Sequence, residues 1–177
     1  TLKNASLQGD SVSSGELVSI ENSYRIKDGI PNFIRADHLT KLEIATQHEY
    51  DLVAEEFYDT ALDWLFASYY EKEDDVREGM LDPLKLSASS KVLEVGCGTG
   101  RDSFRIARRL GKDGVFFLQE ISPKMVEKTK WLFQNTFTKK SDIACEVNCF
   151  ISNATNLPFP DRYFDSVFHF GGFNNFG

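Results

Sequence analysis

The residues able to do chemistry together fall at four points of the chain. Glu94 stands two residues before Gly96, Gly98 and Gly100, with Cys97 and Thr99 between the glycines and Arg101 after them. Glu120, Asn153 and His169 follow at the ends of later apolar runs. Glycines at alternate positions let a backbone turn sharply and approach a ligand closely, because no Cβ intervenes. A helix opening from such a turn aims backbone N–H groups at what the turn holds. A carboxylate such as Glu120 offers two acceptor oxygens, enough for the paired hydroxyls of a ribose. The spacing excludes two nucleotide motifs. G-x-G-x-x-G requires a third glycine at 101 or 103, where Arg101 and Ser103 stand, and no Gly-Lys-Ser/Thr triplet of a P-loop follows.

These residues need elements to position them. Val92, Leu93 and Val95 form an apolar run broken only by Glu94, which reads as a buried parallel strand. Phe104, Ala107 and Leu110 then repeat at helical spacing, and Gly111 stops the helix. Val115–Leu118 reads as a second strand ending at Gln119-Glu120. Ser122-Pro123 is an N-cap with proline at the first helical position, ahead of a stripe of Met125, Val126, Thr129, Leu132 and Phe133 that Lys139 and Lys140 end. Ala144–Ile151 and Tyr163–Phe170 read as third and fourth strands. Strands alternating with helices of this length predict a parallel α/β sheet with right-handed crossovers.

Upstream, residues 1–15 read as a loose polar arm and residues 16–35 as a short hairpin, with turns at Asp28-Gly29 and Pro31. Leu42–Tyr70 reads as helix, with Val53, Phe57, Ala61, Trp64 and Leu65 as its buried stripe, and the acidic run Glu71–Asp75 as a solvated break. The expected organisation is an arm and hairpin over 1–40, a helical cap over 41–88 and a nucleotide-binding domain over 89–177.

The 177 residues suffice for one domain with an appendage, and 41% hydrophobic with 27% charged residues is ordinary globular composition. A net charge of -7 speaks against a general nucleic-acid partner. No run reaches the roughly 20 apolar residues of a membrane helix. Three cysteines, Cys97, Cys145 and Cys149, lack framework spacing and fit a reducing, cytoplasmic setting; no metal site is expected.

The stretch Val92-Leu93-Glu94-Val95-Gly96-Cys97-Gly98-Thr99-Gly100-Arg101 resembles motif I of the class I S-adenosylmethionine-dependent methyltransferases, in particular the small-molecule branch with ubiquinone/menaquinone-type enzymes. Gln119-Glu120-Ile121 matches that family's second motif, Asn153-Ala154 its Asp-Ala, and Phe164-Asp165-Ser166-Val167 its fourth strand. The resemblance implies a Rossmann-like methyltransferase fold with helices on both faces and strand order 3-2-1-4, S-adenosylmethionine as cofactor and a small-molecule acceptor. It implies that Gly96, Cys97, Gly98 and Gly100 line the methionine part and that Glu94 orients its amino end. Glu120 then holds the ribose, Ile121 packs on the adenine, and Asn153 and Ala154 read its edge, the Asn153 carbonyl accepting where the family has an acid. Phe170 or Gly171 lies near the methyl group. Arg101 either meets the methionine carboxylate or faces solvent.

Catalytic candidates are His169, as a base, and Tyr58, in a "YD" element of that branch; for each a structural role is the competing reading. Phe168, Phe170, Phe173 and Phe176 form either an aromatic wall for an apolar acceptor or core. The rival functions are a non-catalytic cofactor-binding or scaffold protein and a nicotinamide-dependent oxidoreductase, which the glycine spacing disfavours. The family fold has seven strands and this sequence reaches the fourth, so the expectation is that a further segment or another chain completes the sheet.

Overall fold

The computed structural model describes residues 1–54, 57–137 and 143–172. Lys139, Lys140, Phe173 and Phe176 lie outside these residues. Two four-stranded sheets organise them. The first is antiparallel: β1 (Leu2–Gln8), β2 (Ser11–Val18), β3 (Ser23–Lys27) and β4 (Ile30–Pro31) pair in chain order. The second is parallel: β5 (Lys91–Val95), β6 (Val115–Glu120), β7 (Glu146–Ile151) and β8 (Ser166–Phe168) lie in the order β7-β6-β5-β8. Numbered from β5, this is the expected order 3-2-1-4. The strands are in register, so Val95, Gln119 and Phe150 end level and their following loops meet on one rim.

Alternation along β5 explains the sheet's two faces. Val92 points to one side with Phe116, Leu118, Cys149 and Phe168, against Ile106, Ala107 and Leu110 of the helical layer and Val126. That layer is α4 (Ser103–Arg108) and α5 (Pro123–Leu132). Leu93 and Val95 point to the other side with Phe150, against Phe33, Phe117, Leu157, Phe159 and Phe164. Phe159 makes edge contacts with Phe117, Phe150 and Phe164 and stacks on Tyr163. Among the described residues this face is therefore covered by the aromatic segment 157–164 rather than by a helix.

The N-terminal reading needs correction. Residues 1–15 are not a loose arm: Leu2 pairs with Leu17, Leu7 with Val12, and β2 continues into β3. β1 is exposed along its whole length, and its Leu2 and Leu7 are too far apart to mark a period-two alternation. The chain leaving β4 runs parallel to the end of β7, where the Phe33 N–H donates to the Ile151 carbonyl at 2.8 Å, and so covers part of that edge.

The cap also differs. It is three helices, α1 (Lys41–Val53), α2 (Tyr58–Ser68) and α3 (Glu73–Leu81). The expected break falls at residues 69–72, between α2 and α3, but the rest of the acidic run begins α3; Glu73, Asp74 and Asp75 sit in its first turn, where negative charge meets the helix dipole. The expected stripe is not buried: Phe57 is 65% and Trp64 70% exposed. On α1 the polarity is reversed, with Glu43 and Thr46 buried while Leu42, Ile44 and Leu52 face solvent.

What turns the polar sides inward is an ion-pair network over the glycine turn. Asp59 accepts from Thr99 Oγ1 at 2.6 Å, Arg101 Nε at 3.0 Å and Lys128 Nζ at 2.7 Å. Arg101 also reaches Asp63 at 2.8 Å and Glu73 at 2.6 Å. Glu73 holds Arg77 at 2.6 Å, and Arg77, itself buried, pairs with buried Asp102 and lies between the rings of Phe66 and Phe170. Arg105 and Arg109 pair with Asp74 and Glu78. Arg101, Arg105 and Arg109 are thus covered by the cap, while Arg108 stays exposed.

Exposed pairs of this kind contribute little, but a buried one leaves an uncompensated charge when halved. Arg77→Met is expected to cost about 3–5 kcal/mol in urea unfolding, and adding Asp102→Asn should recover part of it. A loss below about 1 kcal/mol, the worth of an exposed pair, would show that this contact does not anchor α3.

Candidate functional site

The glycine turn is fixed by the end of the neighbouring strand. The Gly96 N–H donates to Gln119 Oε1 at 3.0 Å, the Cys97 N–H to the Gln119 carbonyl at 2.9 Å, and the Gly98 N–H to Glu120 Oε2 at 3.0 Å. The turn does not present these donors to a ligand, as the sequence suggested; β6 takes them. Gly96, Gly98 and Gly100 have φ of 68°, 54° and 85°, left-handed values that β-carbon-bearing residues adopt at a cost. At Gly100 a Cβ would also sit 3.0 Å from the Thr129 methyl. Thr129, on α5, donates from Oγ1 to the Gly98 carbonyl at 2.7 Å and ties the turn to the helical layer.

Glu120 is buried at the centre. Its Oε1 accepts from the Ile121 and Ser122 N–H groups at 2.7 and 3.1 Å, and its Oε2 from Gly98. Burial pushes its carboxyl above the usual range, and these three backbone donors oppose the shift. A carboxylate with about four lone-pair sites therefore has three engaged, and a ribose must share or displace the Gly98 bond.

Around it lies a crevice at the carboxyl ends of the parallel strands, where ligands of open α/β sheets sit. Gly96, Gly98, Glu120, Ile121, Asn153, Ala154, His169 and Phe170 line it with Gly171, and so does Tyr58 of the cap. Cys97, Glu94, Gly100 and Arg101 do not. The Cys97 side chain turns into the core below the turn, and burial, with Glu120 and Glu94 nearby, raises its thiol well above the usual range. Glu94 is buried and accepts from Ser103 Oγ at 2.6 Å. Arg101 is neither solvent-facing nor in the crevice: Asp59, Asp63 and Glu73 hold it.

Asn153 lines the crevice, but its carbonyl is committed. Oδ1 accepts from the Thr155 N–H at 3.0 Å and Thr155 Oγ1 at 2.9 Å. Its amide instead donates to Glu43 Oε1 at 2.6 Å. Glu43, from α1, is thus an acid in the crevice that the sequence reading missed. Its one local signal was the capping box Thr40-x-x-Glu43, which marks a helix start and not a site. Gln47, one turn on, donates to the Ile121 carbonyl at 2.7 Å, and Asp51, one turn further, accepts from Ser122 Oγ at 2.5 Å. Glu43, Gln47 and Asp51 form one helical stripe at intervals of four, and they seat α1 on the loops after β6 and β7.

Tyr58 lies over Gly98, its hydroxyl 3.6 Å from where a Cβ would be. Burial first, then Tyr50 and Glu120, push its phenol up to about 12, so it keeps its proton at neutral pH. His169 has Nδ1 2.8 Å from the Val95 carbonyl. A carbonyl only accepts, so Nδ1 carries the hydrogen and Nε2 is the basic nitrogen of the neutral ring. Among the described residues no group of three or more His, Cys, Asp and Glu could hold a metal, and no helix is long and apolar enough to cross a membrane.

Glu94 gives a pH test. Burial raises its carboxyl well above the usual range; Ser103 and Arg77 oppose this, and Asp102 and Glu120 reinforce it. With the folded value raised, its stabilising contribution is full below the unfolded value of about 4.3 and is lost as pH rises through the folded value. Glu94→Gln keeps an acceptor for Ser103 but does not titrate. Its melting temperature is expected to fall less steeply than that of the parent between about pH 5 and 8, and parallel profiles would refute the assignment.

Comparison with known proteins follows this geometry. Residues 92–177 match the family described as a methyltransferase domain. The ubiquinone/menaquinone biosynthesis C-methyltransferase of Chromobacterium violaceum is 28% identical over 75% of this chain and 53% of its own length. That of Francisella philomiragia is 32% identical over 44% of this chain and 29% of its own. This chain spans about half the length of the curated relatives that match most of it. A solved structure of a methyltransferase from Aquifex aeolicus has 21% identity and a TM-score of 0.44, over 52% of this chain and 46% of that one. The matched segment contains the glycine turn, Glu120, Asn153, Ala154 and His169, and over it the chain is similar to a methyltransferase domain.

Proposed function

We propose that this protein transfers a methyl group from S-adenosylmethionine to a small-molecule acceptor by in-line displacement. One observation carries the reading: the Glu120 carboxylate stands 3.0 Å from the Gly98 nitrogen, on the rim where Ile121, Asn153 and Ala154 also converge. An acid beside a close-approach turn, with an apolar residue and a polar edge next to it, suits an adenosyl group. The residues fit the group chemically.

Bound S-adenosylmethionine supplies an electrophilic methyl carried on a sulfonium. The chain's own part is then alignment and exclusion of water. Glu120 would hold the sugar, Ile121 and Met125 would flank the base, and Gly96 and Gly98 would let the amino-acid part lie against the backbone. Tyr58 and Phe170 would close the dry side near the sulfur. His169 would be the base for an acceptor that must lose a proton. The relatives named above are C-methyltransferases of quinone biosynthesis, so an electron-rich ring carbon on a small aromatic molecule is the first acceptor class to assay.

A non-catalytic cofactor-binding protein is the second reading, favoured by the way Asn153 and Glu120 are already engaged within the protein. Calorimetry with S-adenosylhomocysteine and with NAD decides the cofactor. Binding of the first alone is expected, and Glu120→Ala should weaken it by about 10–100-fold through lost charge-assisted hydrogen bonds. Binding of NAD alone, or no effect of Glu120→Ala, would overturn the proposal. Methyl transfer to a panel of phenolic and quinol acceptors separates an enzyme from a binder.

A further inference from the structure

A groove of about 1050 Å³ opens between the N-terminal sheet and β7, and it shares no lining residue with the crevice. Small-molecule pockets occupy roughly 300–1,000 Å³, so the space suits an elongated ligand. Val12, Ile26 and Phe33 line it from the N-terminal part, and Val147, Phe150 and Phe159 from the sheet domain. Among the described residues that line it, one is a cation: Lys130, carried by α5. Lys130 is half-buried and donates to the Asp28 carbonyl through the space beside Gly29. A Cβ at residue 29 would stand 2.5 Å from its Nζ, so glycine is what lets the ammonium in.

This ammonium has no counter-ion in contact. Among the described residues no carboxylate pairs with it, and the Asp28 carboxylate goes to Lys27 at 3.7 Å. Cys149 lies beside it, but burial pushes that thiol up to about 12 and leaves it neutral at ordinary pH. Burial in turn pushes the Lys130 ammonium below its usual range, with Cys149 and Asp28 opposing. A partly desolvated charge without an ion partner is costly, and an anion in the groove would offset that cost.

We propose that this groove binds a long-chain carboxylate: the head pairs with Lys130 Nζ, and the apolar chain lies against Val147, Phe150 and Phe159. The charge count selects the head. One ammonium matches one carboxylate, whereas phosphate recognition favours a bidentate arginine fork. The apolar wall selects the chain, because each methylene taken out of water adds a similar increment. The net charge of -7 opposes approach to an anionic bilayer, so the ligand is a free molecule.

Titration calorimetry on the full chain compares octanoate, decanoate and dodecanoate, each below its micelle concentration, with decanol. Decanoate is expected to bind about tenfold or more tighter than decanol, as for a hydrogen bond to a charged group. Each added methylene should tighten binding about two- to fourfold. Lys130→Met should bring the decanoate-to-decanol ratio close to one. Lys130→Gln keeps a donor for the Asp28 carbonyl, so it reports even if the methionine variant fails to fold, and its ratio should fall as far. Val147→Asn should flatten the chain-length series and leave the ratio in place. No saturable binding of decanoate, a parent ratio near one, or a ratio that survives Lys130→Gln would overturn the proposal. So would binding to phosphatidylglycerol vesicles with none to monomeric decanoate.

Discussion

The tie between the glycine turn and the end of β6 governs the rest of the site. Backbone donors at Gly96, Cys97 and Gly98 all go to Gln119 and Glu120. A turn with three left-handed residues would otherwise have many conformations, and buried N–H groups must find partners. Their partners here are a side-chain amide, a strand carbonyl and a carboxylate on adjacent residues. That arrangement fixes the distance between the two strand ends and places Glu120 over the turn. It holds Glu120 buried against a desolvation cost, which three backbone donors offset. Gln119 is itself secured, because its amide donates to the Ser152 carbonyl beyond β7. Three strand ends thus become one rigid rim.

The cap is fastened to that rim by polar contacts. Asp59 shows the balance. Burial alone would raise its carboxyl, but Lys128, Thr99 and Arg101 together hold it below the usual range. Its contribution to stability is therefore present above the unfolded carboxylate value and lost as pH falls through the lowered one. Glu120 and Glu94 run the opposite way. The cap tightens as acids ionise, while the rim beneath it bears the cost of buried charge. The partly exposed pairs of Asp59 and Arg101 contribute little each, whereas the buried Arg77–Asp102 pair anchors α3 on the sheet domain. The exposure of Trp64 and Phe57 on the outer side is the counterpart of this polar fastening.

The sheet was legible because it obeys local rules. The run Val92–Val95, the Ser122-Pro123 cap and the strand-ending acids each follow from backbone chemistry over a few residues. Parallel strands joined by short helices then leave few topologies. The N-terminal strands were missed in part because β1 is exposed along its whole length, so no hydrophobic period marks it. Of the cap, a single helix was read where α1 and α2 stand, α3 was not read as a helix, and the side that turns inward was not found. An amphipathic pattern shows which side is apolar, and burial of that side is only the usual outcome.

The sequence alone determined the order of elements from β5 to β8, the turn, and the acid at 120, since each depends on residue type at fixed short spacing. Tertiary structure decided which groups meet. Asn153 and Glu43 are 110 residues apart in sequence, and so no local pattern couples them. Arg101, next to the glycines in sequence, is drawn away from the crevice by acids from two other helices. Hydrogen bonds and ion pairs act over a few ångströms, and it is the folding of the cap onto the sheet that sets those distances.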